Sequence, residues 1–176
     1  PIGLVNADPA GIEVRADGEI IILDAGSGMR SLGISLEEEF KARPIKLTVL
    51  ISHTHWDHIQ GLPFFLPAYN SKNSLRVLGY EGASAGLRTI LRSQMETSVF
   101  PVSLQDMPSA LLIEELKEMD FSIGRVRVQA HFVNHPGLCV GYRLFPSNGS
   151  IAYLPDNAPY EVLKVALAGR AEADPA

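Results

Sequence analysis

The chain has 176 residues, of which 46% are hydrophobic, and 20 acidic against 15 basic residues give it a net charge of −5. This length fits one domain spanning residues 1–176, which can bury a core without disulfides. The single cysteine, Cys139, excludes an intrachain disulfide and fits a cytoplasmic location. No apolar run approaches the roughly 18 residues of a membrane span. The acidic balance argues against an extended nucleic-acid surface.

The first part of the chain predicts a hairpin, a helix and a buried strand. The predicted strands are Gly11–Arg15, Glu19–Leu23 and Lys46–Ser52. Asp17-Gly18 lies between the first two, and this dipeptide is typical of tight hairpin turns. Ser35 with Glu38 predicts a helix start with a capping box, and Pro44 predicts its end. The apolar stretch Leu62–Tyr69, which contains prolines, follows the third strand.

The second part of the chain alternates helices and strands. Its predicted strands are Leu75–Leu78, Ala110–Glu115, Val126–Val133, Leu138–Phe145 and Ile151–Leu154. Apolar residues at helical spacing predict a helix over Ser84–Met95, and a further helix is expected over Tyr160–Leu167. The segment Ser98–Ser109 is predicted to be irregular, and residues 146–149 to form a turn. This mixture indicates an α/β fold class.

A dense group of metal-binding residue types lies at residues 52–58, Ser-His-Thr-His-Trp-Asp-His, which hold three of the five histidines. Imidazole and carboxylate groups are good ligands for zinc, manganese or iron. In an extended segment, residues two apart project to the same side, so His53 and His55 can bind one ion. Asp57 and His58 lie past a bend and can face a second ion. The pattern therefore predicts a metal site.

Residues 54–65 resemble the metal loop of the metallo-β-lactamase-fold hydrolases. More narrowly, they are similar to the branch of the phosphoribosyl cyclic-phosphate phosphodiesterases and the tRNA 3′-processing endonucleases. Three more segments match family motifs in the family's order: Leu-Asp-Ala-Gly at 23–26, Asn-His-Pro-Gly at 134–137 and Tyr-Leu-Pro-Asp at 153–156. The resemblance runs from about Asn6 to about Tyr160. It implies an αβ/βα sandwich with two facing sheets, helices outside, and metals at one edge between the sheets.

The resemblance also implies the roles of individual residues. The implied ligands are His53, His55 and His135 for the first ion, Asp57 and His58 for the second, and Asp156 as a bridge. Asp57 and Asp156 are thus the implied catalytic residues. Asp24 is expected to orient the metal loop through hydrogen bonds without binding an ion, with plain turn chemistry as the alternative. Two divalent ions about 3.5–4 Å apart, zinc or manganese or else iron, can share a hydroxide as the nucleophile.

Several of these residues have a simpler alternative. His135 alone fits a hydrogen-bonded surface residue, and Asp156 alone fits a helix cap. His131 is predicted to lie on the same strand as His135, but roughly 13 Å away, beyond ligand range. Trp56 and the pair at 64–65, Phe-Phe, fit either a wall of a substrate pocket or core packing. Cys139 is expected to be a small buried side chain rather than a nucleophile.

The family carries a late histidine ligand of the second ion, but no histidine follows His135 in this sequence. A strand expected before the first residue is also missing. We therefore expect a fragment, incomplete at both ends, with a weak second metal site and exposed sheet surface that favours homo-oligomers.

The most favoured function is metal-dependent hydrolysis of a small or cyclic phosphodiester through a metal-bound hydroxide. One alternative is a non-catalytic metal-binding or sensor domain. Another is a redox enzyme with one iron held by His53, His55, His135 and Asp156. The fold alone does not choose among these functions.

Overall fold

The computed structural model describes residues 3–159 except 9–10, 42, 81–85, 97 and 99. The strands are β1 Gly3–Asp8, β2 Gly11–Ala16, β3 Glu19–Leu23, β4 Lys46–Ile51, β5 Ser74–Gly79, β6 Ala110–Glu115, β7 Asp120–Ile123, β8 Val126–Phe132, β9 Val140–Phe145 and β10 Ile151–Tyr153. The helices are α1 Met29–Phe40, α2 Trp56–Ile59 and α3 Leu87–Ser93, with short 3₁₀ helices at Leu62–Phe64, Leu66–Tyr69 and Leu104–Asp106. No helix among these residues is long and apolar enough to cross a membrane.

The strands form two sheets. The larger sheet has six strands in the order β1-β2-β3-β4-β5-β6, and the smaller has four in the order β10-β9-β8-β7. β3 to β6 are parallel, whereas the first hairpins and the whole smaller sheet are antiparallel. Because the parallel strands run in one direction, their carboxyl ends meet at a single edge of the molecule.

Two hydrophobic cores lie on opposite faces of the larger sheet. One core packs Leu47 and Val49 of β4 against α1 and α3. The other packs Leu50 of the same strand against the smaller sheet, including Tyr142. A strand covered on both faces is expected to be mostly apolar, and four of the five residues from 47 to 51 are, with the buried Thr48 as the exception. The predicted α/β class with two facing sheets is confirmed, while the helix expected at Tyr160–Leu167 lies outside the described residues.

The predicted start of the first helix at Ser35 is wrong. α1 begins at Met29, and the Ser35 hydroxyl lies within the helix, where it donates to the Ser31 carbonyl at 3.2 Å. Met29, Leu32 and Leu36 are all buried on one helix face. Burial of that face decides where the helix begins, and a serine inside a helix can satisfy its hydroxyl on the preceding turn. The local capping signal is therefore overridden.

Two strands, β1 and β7, are not predicted by the sequence patterns. β7 has only the four residues Asp-Phe-Ser-Ile, too few for an alternating pattern to be recognised. The predicted hairpin at Asp17-Gly18 is confirmed, since β2 and β3 pair across it and both residues have positive φ, 52° and 88°. Paired positive φ angles are what the tightest hairpin turns require.

Candidate metal centre

The metal loop begins where β4 ends, at the edge where the parallel strands finish. The smaller sheet holds this end of β4 in place: the Val140 amide donates to the Ser52 carbonyl at 2.9 Å, and the Tyr142 hydroxyl donates to the Ile51 carbonyl at 2.6 Å. The chain is still extended at His55, with φ −59° and ψ 145°, and α2 begins at the next residue. The change from extended chain to helix directs the first two histidines and the following Asp-His pair toward different positions.

Four predicted ligands come together as a first ligand group: His53, His55, His135 and Asp156. One ligand atom of each lies within 4.8 Å of those of the others. His55 Nδ1 is 2.9 Å from His53 Nε2 and 3.1 Å from His135 Nε2. Each neutral imidazole carries only one N–H, so three converging ring nitrogens cannot all satisfy one another. A divalent cation accepts all of their lone pairs, and the donor set fits such an ion.

A second ligand group is formed by Asp57, His58 and Asp156, with the same mutual distances below 4.8 Å. His58 Nε2 is 3.1 Å from Asp156 Oδ2 and 3.4 Å from Asp57 Oδ2. The same oxygen of Asp156 is 3.5 Å from His53 Nε2 in the first group. One carboxylate oxygen therefore faces both groups, as a bridging ligand between two ions would.

Asp24 lies beneath the second ligand group and is completely buried. Its Oδ1 accepts the Ser52 amide at 2.6 Å, and its Oδ2 accepts the hydroxyls of Ser52 at 2.8 Å and Tyr153 at 2.7 Å. His58 Nδ1 is also 2.8 Å from Oδ2. Because a carboxylate only accepts, His58 must donate from Nδ1, which leaves its Nε2 lone pair directed at the ligand group.

A second hydrogen-bond chain orients His53. Its Nδ1 lies 3.0 Å from the Ser52 hydroxyl, which itself donates to Asp24. The hydroxyl can then accept from Nδ1, so the Nε2 of His53 is free to bind an ion. Ser52 and Tyr153 are functional candidates that the sequence analysis missed, although each belongs to a quoted motif. The available signal was a hydroxyl residue directly before the first histidine and one near the strand-end aspartate.

The electrostatic environment favours the neutral form of two imidazoles of the first group, His53 and His135. Burial, followed by the neighbouring imidazoles of His58, His55 and His135, lowers the pKa of His53 to about 4. Burial and His55 also lower the pKa of His135. Burial opposes protonation of His58, but the hydrogen bond and charge of Asp24 and the charges of Asp156 and Asp57 raise its pKa. Neutral imidazoles bind metal ions without first losing a proton.

The predicted positions of His131 and His135 are confirmed only in part. His131 is exposed and belongs to neither ligand group. His135 does not share its strand, contrary to prediction, because β8 ends at Phe132 and the chain bends at residues 134–137. The amide of Asn134 donates to the side chain of Asn157 at 3.0 Å, which ties the His135 loop to the Asp156 loop.

The three residues predicted to form a pocket wall or pack in the core differ in their exposure. Trp56 is 69% exposed beside the ligands and Phe64 is 51% exposed, whereas Phe65 belongs to the core. Cys139 is buried with its sulfur 3.6 Å from His53 Nδ1. Burial raises the pKa of the Cys139 thiol to about 12, so it remains protonated at neutral pH and is not an activated nucleophile.

The two-sheet fold and the His/Asp cluster at its strand-end edge define a class: the metal-dependent hydrolases of the metallo-β-lactamase fold. The sequence places the chain in the same class, because residues 20–174 match the family described as the Beta-lactamase superfamily domain. The chain belongs to this family.

Three individual proteins illustrate what this chain is similar to. Ribonuclease Z of Pyrococcus horikoshii is 29% identical over 119 residues, which cover 64% of this chain and 37% of that protein. The chain thus spans well under half the length of this curated relative. The short form of human tRNase Z superposes with a TM-score of 0.54 at 20% identity, covering 88% of this chain and 70% of the other. A diphosphatase of the PhnP family superposes with a TM-score of 0.51 at 21% identity, covering 85% and 55%. At these identities the two structures show the fold alone.

Proposed function

We propose that this chain hydrolyses phosphodiesters, using two divalent ions held by the two ligand groups. The observation that carries the proposal is the position of Asp156 Oδ2, 3.1 Å from His58 Nε2 and 3.5 Å from His53 Nε2. A carboxylate between two ligand groups is the arrangement used by two-ion phosphodiester hydrolysis. The similarity to ribonuclease Z, whose name states that it cleaves RNA, supports the same bond type.

The proposed ligands are His53, His55, His135 and Asp156 for the first ion, and Asp57, His58 and Asp156 for the second. Ions bound there would supply Lewis acidity and a water nucleophile at neutral pH. Zinc or manganese fits these nitrogen and oxygen donors best, and iron is also compatible. Among the described residues the first group offers four ligand atoms and the second three. We therefore propose that the first site fills at lower metal concentration than the second.

The chain's own groups would orient the reaction. Asp24 and Ser52 fix the ring orientations of His58 and His53, so the ligand nitrogens need not reorganise when an ion binds. The Asp57 side chain is 69% exposed, so its carboxylate can accept a proton from the attacking water. This open side, next to the exposed Trp56, admits a small or cyclic phosphodiester.

Two histidines provide a matched test of the ligand assignment. His135→Ala removes a proposed ligand, whereas His131→Ala removes an exposed histidine outside both groups. With zinc or manganese present, we expect His135→Ala to lose metal and to hydrolyse bis(p-nitrophenyl) phosphate at least ~100-fold more slowly. His131→Ala should keep the metal content and rate of the parent chain.

Metal content per chain, measured by elemental analysis, and p-nitrophenol release are the two readouts. Equal losses in both variants would contradict the assignment of His135. A parent chain that carries two ions but hydrolyses no phosphodiester would contradict the proposed function and leave a metal-binding role.

A further inference from the structure

An aromatic pair lies where β5 and β8 end and plays no part in the proposed ligand groups. Phe132 ends β8, and Tyr80 directly follows β5. Their ring centroids are 5.3 Å apart and the rings meet edge to face at 78°. The Phe132 side chain is 56% exposed, whereas Tyr80 packs partly against the core between the sheets. The contact packs the Phe132 ring against Tyr80 and leaves much of the ring accessible.

The ring of Phe132 faces the space between the two sheets. Val126, Val128 and Ala130 of the same strand are buried in the core between the sheets. Side chains two apart in a strand share a face, so Phe132 continues this inward series. Its contact with Tyr80, which follows β5 of the larger sheet, agrees with this direction. An inward-facing aromatic side chain that stays more than half exposed marks the open mouth of the sandwich.

This mouth lies one strand away from the metal loop. Phe132 pairs with Val140, whose amide donates at 2.9 Å to the carbonyl of Ser52, the residue before His53. On the opposite sheet, Gly79 before Tyr80 pairs with Ile51 of β4. Neighbouring strands lie about 4.8 Å apart, so the pair is within roughly 10 Å of the first histidine ligand. That separation is within reach of a nucleoside whose phosphate lies at the metal centre.

We propose that Phe132, held by Tyr80, stacks on a nucleobase attached to the phosphate that is hydrolysed. The proposal rests on the proposed function and specifies its substrate class, a phosphodiester of a nucleoside. An exposed aromatic face stacks on any base, because every base presents a π-face. Phe132 would therefore favour nucleosides over small alkyl groups without reading the base sequence.

Two esters with the same leaving group isolate this effect: thymidine 5′-(p-nitrophenyl) phosphate and methyl p-nitrophenyl phosphate. Hydrolysis breaks the same P–O bond to p-nitrophenolate in each, and water supplies the hydroxyl that remains on phosphorus. The parent chain should prefer the thymidine ester. Phe132→Leu keeps an apolar side chain but removes the ring, and should lower kcat/KM for the thymidine ester by about 5- to 150-fold. The methyl ester should change less than about twofold.

Two further variants serve as controls. Phe132→Tyr keeps an aromatic face and should retain the preference for the thymidine ester. Leu112→Ala truncates a side chain of similar exposure, 49%, on β6, and should alter neither ester. Equal loss of both esters in Phe132→Leu, or a parent chain without a nucleoside preference, would overturn the proposal.

A binding measurement separates this proposal from the proposed function. Calorimetric titration of the metal-loaded chain with adenosine 5′-monophosphate and with methyl phosphate requires no turnover. Tighter binding of the nucleotide that is lost in Phe132→Leu supports the stacking site even if no ester is hydrolysed, and the hydrolase proposal then fails alone. Hydrolysis of both esters with equal binding of the two phosphates overturns the stacking site and leaves the hydrolase proposal intact.

Discussion

Asp24→Asn tests the hydrogen bonds beneath the metal centre. The buried carboxylate faces donors on both sides: the Ser52 amide at Oδ1, and the groups of Ser52, Tyr153 and His58 at Oδ2. Asparagine has one oxygen and one NH₂ group. Whichever way the amide is turned, its NH₂ group meets at least one N–H or O–H donor that the carboxylate had accepted.

The expected cost follows from this mismatch. A buried donor left without an acceptor destabilises a protein by about 1–3 kcal/mol, and hydrogen bonds to a neutral amide are weaker than those to a carboxylate. We therefore expect the free energy of unfolding to fall by about 2–3 kcal/mol. For a chain of this size, that change lowers Tm by about 4–12 °C. A misoriented His58 should also weaken binding at the second ligand group by about 10- to 100-fold.

Thermal unfolding of the metal-free chain and titration with zinc or manganese measure the two effects separately. Tyr153→Phe is the graded comparison, because it removes one donor and creates no donor–donor contact. It should cost about 1.5 kcal/mol, the lower end of the range for a hydrogen bond to a charged group, because Oδ2 keeps the Ser52 hydroxyl and His58 as partners. An Asp24→Asn chain with unchanged Tm and metal affinity, or a Tyr153→Phe chain with the larger defect, would refute the reasoning.

Two further predictions concern the metal loop. A Cβ added at Gly61 would lie 1.9 Å from the Gly26 carbonyl oxygen, so Gly61→Ala should lower the free energy of unfolding by at least about 2 kcal/mol. At Gly11 the nearest described atom to an added Cβ is 3.8 Å away, so Gly11→Ala should unfold like the parent in the same denaturant titration. In the metal-free chain, ¹⁵N NMR should show His53 titrating at about pH 4. The unfolded chain protonates His53 near pH 6.5, so the stability that neutral His53 contributes to the folded chain is lost as pH falls from 6.5 to 4. A His53 signal that titrates near pH 6.5 in the folded chain would contradict this prediction.

The elements that the sequence predicts are those with a local physical cause. The Asp17-Gly18 turn follows from the positive φ angles that these residues tolerate, and β4 from a run that must be apolar on both faces. The start of α1 could not be predicted from Ser35, because burial of Met29 outweighs a capping signal. Short β7 carries too little pattern to be recognised.

The same distinction holds for the metal centre. His53 and His55 are neighbours in sequence, and their spacing alone predicts that they can bind one ion. His135 and Asp156 were expected only from the family resemblance, and the structure brings both beside His53. The contact between Tyr153 and Asp24 joins residues 129 apart, and no spacing rule predicts such a pair. Sequence patterns therefore predicted the local half of the centre, while tertiary structure supplies the rest.

The contact between Tyr153 and Asp24 also has a consequence for folding. It joins the end of β3 to the end of β10, so the centre closes only after both sheets have formed and docked. Contacts of such high sequence separation form slowly and late. An ion that binds only the closed centre stabilises the finished chain, by about 2.7 kcal/mol at a concentration one hundred times its Kd. Metal supply would therefore influence what fraction of the newly made chain stays folded. Removing the metal with a chelator would increase the unfolded fraction, which proteases can cleave.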